Sequence, residues 1–183
     1  HLLVVDNGVK AHTEIEYAKS LGLKVAVVDH HLIEEPLDDV LLLHPEYLEG
    51  YFNTMCASGL MYLVAERLNF LTPKIKAYAA LATIADVMPL WNKNREIVKV
   101  GLEAMNENSI ANIDALSKVK NYSAKDLAFQ VVPKINSVGR MADIVNMNTM
   151  VKYLLSDDEV LIQQYAKQVL SINDLRKNKG KTA

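Results

Sequence analysis

Cysteine occurs once in the 183 residues, at Cys56, so no internal disulfide can form and no pair of thiols has the spacing of a zinc site. This excludes a disulfide-stapled secreted scaffold and leads us to expect a reducing, cytoplasmic setting. Glycine and proline are few, 7 and 5, which excludes a collagen-like chain. An excess of either charge is missing: 20 Lys and Arg stand against 22 Asp and Glu, a formal net charge of -2. No global basic field clamps nucleic acid, and any polyanion contact must be local. Long apolar runs are missing too. The longest stretch, Ala77 to Ala85, falls far short of the roughly 20 residues of a spanning helix, so no membrane partner is expected. The chain starts with His1 rather than Met and is apolar from Leu2 to Val5, which predicts a piece of a longer protein.

What is present is half hydrophobic, 50%, with 23% charged residues, the composition of a globular domain with a core. Leu2 to Val5, Lys24 to Val28 and Val40 to Leu43 are short runs rich in Val and Leu, the pattern of strands buried on both faces. Between the first two, Thr13-Glu14-Ile15-Glu16 reads as a capping box, Ile15, Ala18 and Leu21 share a face, and Gly22 supplies a stop. Such a strand-helix-strand unit makes the strands parallel and ends Val5 and Val28 at one sheet edge. After Leu43 the chain reads as nearly all helix: Ser58 to Asn69, then Pro73 to Ala85 behind the N-cap Thr72. Further helices are predicted over Arg95 to Asn106, Ala124 to Val132 behind Ser123, and Asp143 to Leu155, with Pro133 to Met141 as a loop. Ser156-Asp157-Asp158-Glu159 opens a last long helix, with Arg176, Lys177, Lys179 and Lys181 near its negative end. The fold class is therefore α/β: a parallel sheet whose strand ends form the site, followed by a helix-rich half.

Asp6 and Asp29 each follow a predicted strand, at the carboxyl edge where open α/β sheets bind ligands. With strands about 4.8 Å apart, Asp6 and the triplet Asp29-His30-His31 crowd one small volume. Two carboxylates and two imidazoles so packed repel and are costly to desolvate. A divalent cation relieves both problems by taking O and neutral N ligands. Asp6-Asn7-Gly8 is equally a turn signal, and a strand-end Asp often caps a helix. His12, beside a helix start, and His44, before Pro45 in a loop, carry no such signal. Asp86 follows the apolar helix and precedes Val87-Met88-Pro89-Leu90, where Pro89 forbids helix. An acid amid this much Ala, Ile, Val and Leu is expected to be partly buried. Alone it could cap the next turn. In Asn136-Ser137-Val138-Gly139-Arg140, backbone N-H groups and a guanidinium could meet a phosphate, although a lone loop Arg more often closes a salt bridge.

Together these segments resemble the DHH phosphoesterase superfamily, and within it the RecJ-type single-stranded-DNA exonucleases. Val4 to Gly8 is similar to the second family motif, Val28-Asp29-His30-His31 to the third, and Ala82 to Leu90 to the fourth. Asn94-Arg95, Gly101-Leu102 and the segment Pro133 to Met141 also sit where the RecJ pattern has them. The resemblance implies a DHH domain over residues 1–155, truncated at its N-terminus, and the start of a connecting helix over 156–183. It implies a site with two Mn2+ or Mg2+ ions: Asp6 would bridge them, and His30 and Asp86 would complete one. Asp29 would orient a ligand and His31 would contact the scissile phosphate. Asn136, Gly139 and Arg140 would hold the strand. The implied activity is metal-dependent 5′ to 3′ hydrolysis of single-stranded DNA to 5′-mononucleotides in repair and recombination, with DNA repair proteins as further partners.

Several features depart from that pattern. The first family motif would precede residue 1, the accessory domain would follow Ala183, and His44-Pro45 and Ser137-Val138 replace Asn-Pro and Ala-Ala. The isolated chain is therefore expected to be weak or inactive. Three other readings compete: a phosphodiesterase of oligoribonucleotides or cyclic dinucleotides, a non-catalytic binding scaffold, and an α/β domain serving another cation or phosphoryl group. The segment ending at Arg140 argues against the first. The retained Asp6, His30, His31 and Asp86 argue against the second, since a scaffold has no use for costly polar groups at one sheet edge.

Overall fold

The computed structural model describes residues 1–142 and 146–179, and the chain divides into two compact units, 1–101 and 102–183. The first unit is built on three parallel strands in the order β1 (Leu2–Val5), β2 (Val25–Val28), β3 (Leu41–Leu43). Val5 pairs with Val28, and Val28 with Leu43, so all three strands end at one edge, as the strand-helix-strand pattern predicts. Only β2 is buried along its length; Leu3 and Leu41 are exposed. The expectation of burial on both faces thus fails for β1 and β3, because in a three-stranded sheet two strands are edges.

Alternation along β2 divides the core. Val25 and Val27 join Val9, Ile15 and Ala18 against α1 (His12–Ser20), and Val28 joins Met55, Leu60, Tyr62, Ala79 and Ile97. The latter come largely from α2 (Ala57–Arg67), α3 (Pro73–Ala85) and α4 (Asn92–Glu107). Thr72 caps α3 as expected, its hydroxyl accepting the Ile75 N-H at 3.2 Å. The predicted capping box of α1 does not form. The helix begins at His12 behind Ala11, so Thr13 already lies inside it and no side chain caps this end.

Three helices of this unit end in one motif. Gly22 follows α1, Asn69 follows α2 and Val87 follows α3, all at positive φ: 79, 57 and 56°. In each the next residue's N-H reaches back to the third-last helical carbonyl: Leu23 to Ala18, Phe70 to Ala65, and Met88 to Thr83. Glycine suits this conformation best and asparagine tolerates it, whereas valine is sterically ill-matched.

The second unit is helical: α5 (Ala111–Asp114), α6 (Ala124–Asp126), α7 (Val132–Gly139), α8 (Asn148–Leu155) and α9 (Glu159–Lys179). Ser123 and Asp126 form the capping box of α6. Asp158 opens α9 by accepting the N-H groups of Val160 at 2.8 Å and Leu161 at 3.1 Å. Buried Asn112 ties α5 to α8, donating to the Tyr153 carbonyl at 2.6 Å and receiving the Tyr153 hydroxyl on its own carbonyl. Of the helix expected over Asp143 to Leu155, the part from Asn148 is observed; residues 143–145, like Lys181, lie outside the described residues.

Candidate metal centre

The ladder positions the site. Asp6, one residue beyond β1, donates its N-H to the Val28 carbonyl at 2.9 Å and then turns at φ 61°. Asn7 accepts the Gly8 N-H at 2.8 Å, and Gly8 crosses β2 so closely that a Cβ there would stand 2.8 Å from Val27 Cγ1. The turn reading of Asp6-Asn7-Gly8 therefore holds: the turn lifts the chain off the sheet directly after the Asp6 carboxylate.

Asp29, 1% exposed, directs its carboxylate back into its own chain. One oxygen accepts the Val9 N-H at 3.1 Å; the other accepts the N-H of His30 at 2.8 Å, the N-H of His31 at 3.2 Å and the ring Nδ1 of His31 at 2.7 Å. Burial pushes this carboxyl up, but the hydrogen bonds from Val9, His31 and His30 outweigh it, and the net shift is downward. The same contact raises His31, whose bond to Asp29 prevails over its partial burial, with the charges of Asp29, Asp6 and Asp86 adding to the effect. With Nδ1 engaged, the ring offers Nε2 outward.

His30 links the two remaining acids. Its Nε2 lies 3.2 Å from Asp6 Oδ1 and 3.2 Å from Asp86 Oδ2. One ring N-H serves one of these acceptors at a time, whereas a cation in that place would use all three groups as donors. Ligand atoms of Asp6, His30 and His31 all lie within 4.8 Å of one another, and Asp86 is joined to the group through His30. Asp86 is exposed, its side chain retaining 43% of its surface, not partly buried as its apolar neighbours suggested. The reason is local: it is the cap residue at the end of α3, and the reversal at Val87 leaves both side chains outside the core. An open cleft of about 640 Å³ adjoins His30 and His31 and continues along Pro45, Asn53, Thr54 and Met88.

The other three expected residues lie in the second unit. Pro133 to Met141 is not a loop. The chain stays helical through a π-helical turn, Leu127–Val131, directly into α7, and Pro133 falls at the start of α7, where that turn ends. Asn136 and Gly139 are helical and Arg140 is the cap; the Arg140 N-H is spent on the Asn136 carbonyl at 3.2 Å and is not open to a phosphate. All three are nonetheless exposed and spaced i, i+3, i+4, which places them on one face, while Ser137 and Val138 are buried.

Two polar residues to which the sequence analysis gives no role are buried beside the site. His44, buried, follows β3 at the sheet edge that carries Asp6 and Asp29; the signal was a third apolar run ending in an imidazole. Asn94, buried in α4, donates to the Thr54 carbonyl at 2.8 Å and the Pro89 carbonyl at 3.1 Å, joining two walls of the cleft. Nothing in its spacing announced that.

Residues 1–88 match the DHH family, N-terminal domain. The single-stranded-DNA-specific exonuclease RecJ of Thermus thermophilus is 30% identical over 181 residues, 95% of this chain and 27% of that protein. The Bacillus subtilis protein of the same name is 30% identical over 96% of this chain and 23% of its own length. A crystal structure of exonuclease RecJ bound to manganese superposes with a TM-score of 0.82 at 29% identity, covering 96% of this chain and 47% of that one. The chain thus spans about a quarter of the length of these curated relatives.

Proposed function

We propose that this chain, whose residues 1–88 match the DHH family, N-terminal domain, forms the metal-binding part of a longer phosphodiesterase, a 5′ to 3′ exonuclease on single-stranded DNA. The observation that carries this reading is the convergence of Asp6, His30 and His31 donors within 4.8 Å, with Asp86 at 3.2 Å from His30. The donor set fits Mn2+ or Mg2+: carboxylate oxygens and imidazole nitrogens, no thiolate. Asp6, His30 and Asp86 would hold the metal, and Asp29, its oxygens already occupied by N-H donors, orients His31. The bound metal would supply Lewis acidity toward a phosphodiester and a water of lowered pKa. His31, its Nδ1 fixed by Asp29, presents Nε2 to the scissile phosphate. Asn136, Gly139 and Arg140 bind the strand through the shared face of α7, the guanidinium pairing with a phosphate. Residues 156–183 lead into a further domain of the longer protein, which acts in DNA repair and recombination in the cytoplasm, beside other repair proteins. Among the described residues no helix is long and apolar enough to cross a membrane.

The deciding experiment is Mn2+-dependent release of mononucleotides from 5′-labelled single-stranded DNA by the protein that contains this chain, with His30→Ala beside it. Release by the wild type alone is expected. Silence from both, with Mn2+ still raising the melting temperature, would favour a small-molecule phosphodiesterase; no Mn2+ effect on stability would leave a binding scaffold.

A further inference from the structure

Two irregular stretches wall the cleft beside His31. Asn53 and Thr54 lie in the loop that leads into α2, and Met88 and Pro89 in the link from Asp86 to α4. No strand ladder or helix fixes the spacing of such stretches, so side chains must do it. Asn94, in the first turn of α4 and 1% exposed, stands behind both walls. Its Nδ2 donates to the Thr54 carbonyl at 2.8 Å and to the Pro89 carbonyl at 3.1 Å, with Thr54 Oγ1 at 3.3 Å. Carbonyl oxygens only accept, and an amide nitrogen carries two hydrogens, so the two acceptors settle which end of the amide faces them. The buried Oδ1 has no partner among the described residues, and the donor end alone fixes the side chain.

Other bonds tie the Thr54 loop to α4, but they are exposed: the Tyr51 hydroxyl to Glu96, and Asn92 Nδ2 to the Gly50 carbonyl at 3.5 Å. Water competes with both, whereas the bonds of Asn94 are shielded from it. Asn94 also differs in reaching the second wall. Asp86 does not depend on it, because the end of α3 places that acid through the Met88 N-H on the Thr83 carbonyl at 3.1 Å.

We propose that Asn94 is a positioning residue for the substrate: by holding the Thr54 and Pro89 carbonyls on one amide nitrogen, it sets the width of the cleft that takes the nucleotide whose phosphate meets His31. This rests on the reading that His31 serves the site. The cleft opens at His30 and His31, and its volume of about 640 Å³ lies within the roughly 300–1,000 Å³ of small-molecule sites. Leu32, Pro45, Leu48 and Met88 offer apolar surface to a base and sugar, and Asn53 and Thr54 offer polar atoms. Asn94 lies behind this lining, so its removal reaches the substrate only through the walls.

The test uses the protein that contains this chain, with Asn94→Ala, which removes both donated bonds, and Asn94→Ser, which keeps one donor. Ile15→Ala, in the core on the other side of β2, serves as a control for loss of stability alone. Two affinities are read in Mn2+: KM for single-stranded DNA, and the Kd of thymidine 5′-monophosphate by calorimetry. Asn94→Ala should raise both by about tenfold, with kcat and Mn2+ affinity little changed. Asn94→Ser should fall between it and the wild type, and it decides the matter if the alanine variant does not fold. Ile15→Ala should keep wild-type values. Unchanged KM and Kd in both Asn94 variants would overturn the proposal, as would an equal rise in Ile15→Ala, which would trace the effect to general softening. Loss of Mn2+ affinity in step with KM would also overturn it, making Asn94 a support of the metal site. If the wild type releases no nucleotide the nuclease reading fails, and the monophosphate titration then decides alone: weaker binding in Asn94→Ala upholds the proposal, and no binding by the wild type overturns it.

Discussion

His30 Nε2 and Asp86 Oδ2 stand 3.2 Å apart, so the end of β2 and the end of α3 meet at one nitrogen. Neither element needs the other's polar group for packing, because the core between them is supplied by Val28, Leu60 and Ala79. Asp86→Asn keeps the shape and removes the charge. We expect Mn2+ affinity, measured by calorimetric titration, to fall at least about tenfold, with the metal-free melting temperature little changed, since Asp86 is exposed. A large drop in metal-free stability with unchanged Mn2+ affinity would mean that the acid serves the fold.

Asp29 and His31 give the metal-free chain a pH signature. The folded carboxyl lies below its ordinary 3.8, so its contribution is present above that value and is lost as the pH falls through the folded pKa. The folded imidazole lies above its ordinary 6.5, so its contribution is complete below that value and is lost as the pH rises through the folded pKa. The pair therefore contributes most between the two ordinary values. Asp29→Asn should flatten both flanks of the urea-unfolding profile, bring the NMR titration of His31 down, and cost about 1–3 kcal/mol at mid-range because buried N-H donors lose acceptor capacity. A variant whose pH profile keeps both flanks would show that other groups set them.

How far the sequence announced this site depends on the kind of signal. β2 was legible because Val25 to Val28 is uniformly apolar and bounded by polar residues, and the parallel register then brought Asp6 beside Asp29. The crowding of Asp29, His30 and His31 beside Asp6 was legible for the same reason: three polar groups cannot follow such a strand into a core. His44 was legible only by place, at the end of a third apolar run; its bond to a main-chain carbonyl thirteen residues earlier is encoded by no periodicity. The mistaken loop at Pro133 to Met141 shows the complementary limit. Proline marks no stop there, because it falls where a π-helical turn gives way to α7 and the wider turn shifts the phase of the chain. The capping box at Thr13 failed in the same way, by two residues of phase.

Gly101 marks the tightest approach of α4 to α3. A Cβ there would lie 2.3 Å from Ala80 Cβ and 2.6 Å from the Lys76 carbonyl oxygen. Both obstacles are fixed to the helix backbone, so no rotamer relieves them and the helices must separate. Gly101→Ala gains a little helix propensity, roughly 1 kcal/mol, and loses more through overpacking, about 1–3 kcal/mol. A net decrease in the urea midpoint is expected. An increase would show that the helices part without loss.

Val87 offers the opposite test, a substitution that should stabilise. It occupies, at φ 56°, the position after α3 that Gly22 fills after α1, and its side chain is 85% exposed, so nothing is gained from burying it. The left-handed conformation costs a β-branched residue about 1–2 kcal/mol, and glycine in the same place loses up to roughly 1 kcal/mol through its freer unfolded chain. Val87→Gly should therefore raise stability by up to about 1 kcal/mol, read as a higher urea midpoint. Because the hydrogen bonds that close α3 run through the Val87 and Met88 N-H groups and not through the valine side chain, Asp86 should keep its place beside His30. Mn2+ affinity is then unchanged. A variant that gains stability but loses metal affinity would instead show that the strain at Val87 sets the direction of the Asp86 carboxylate, making the valine part of the site.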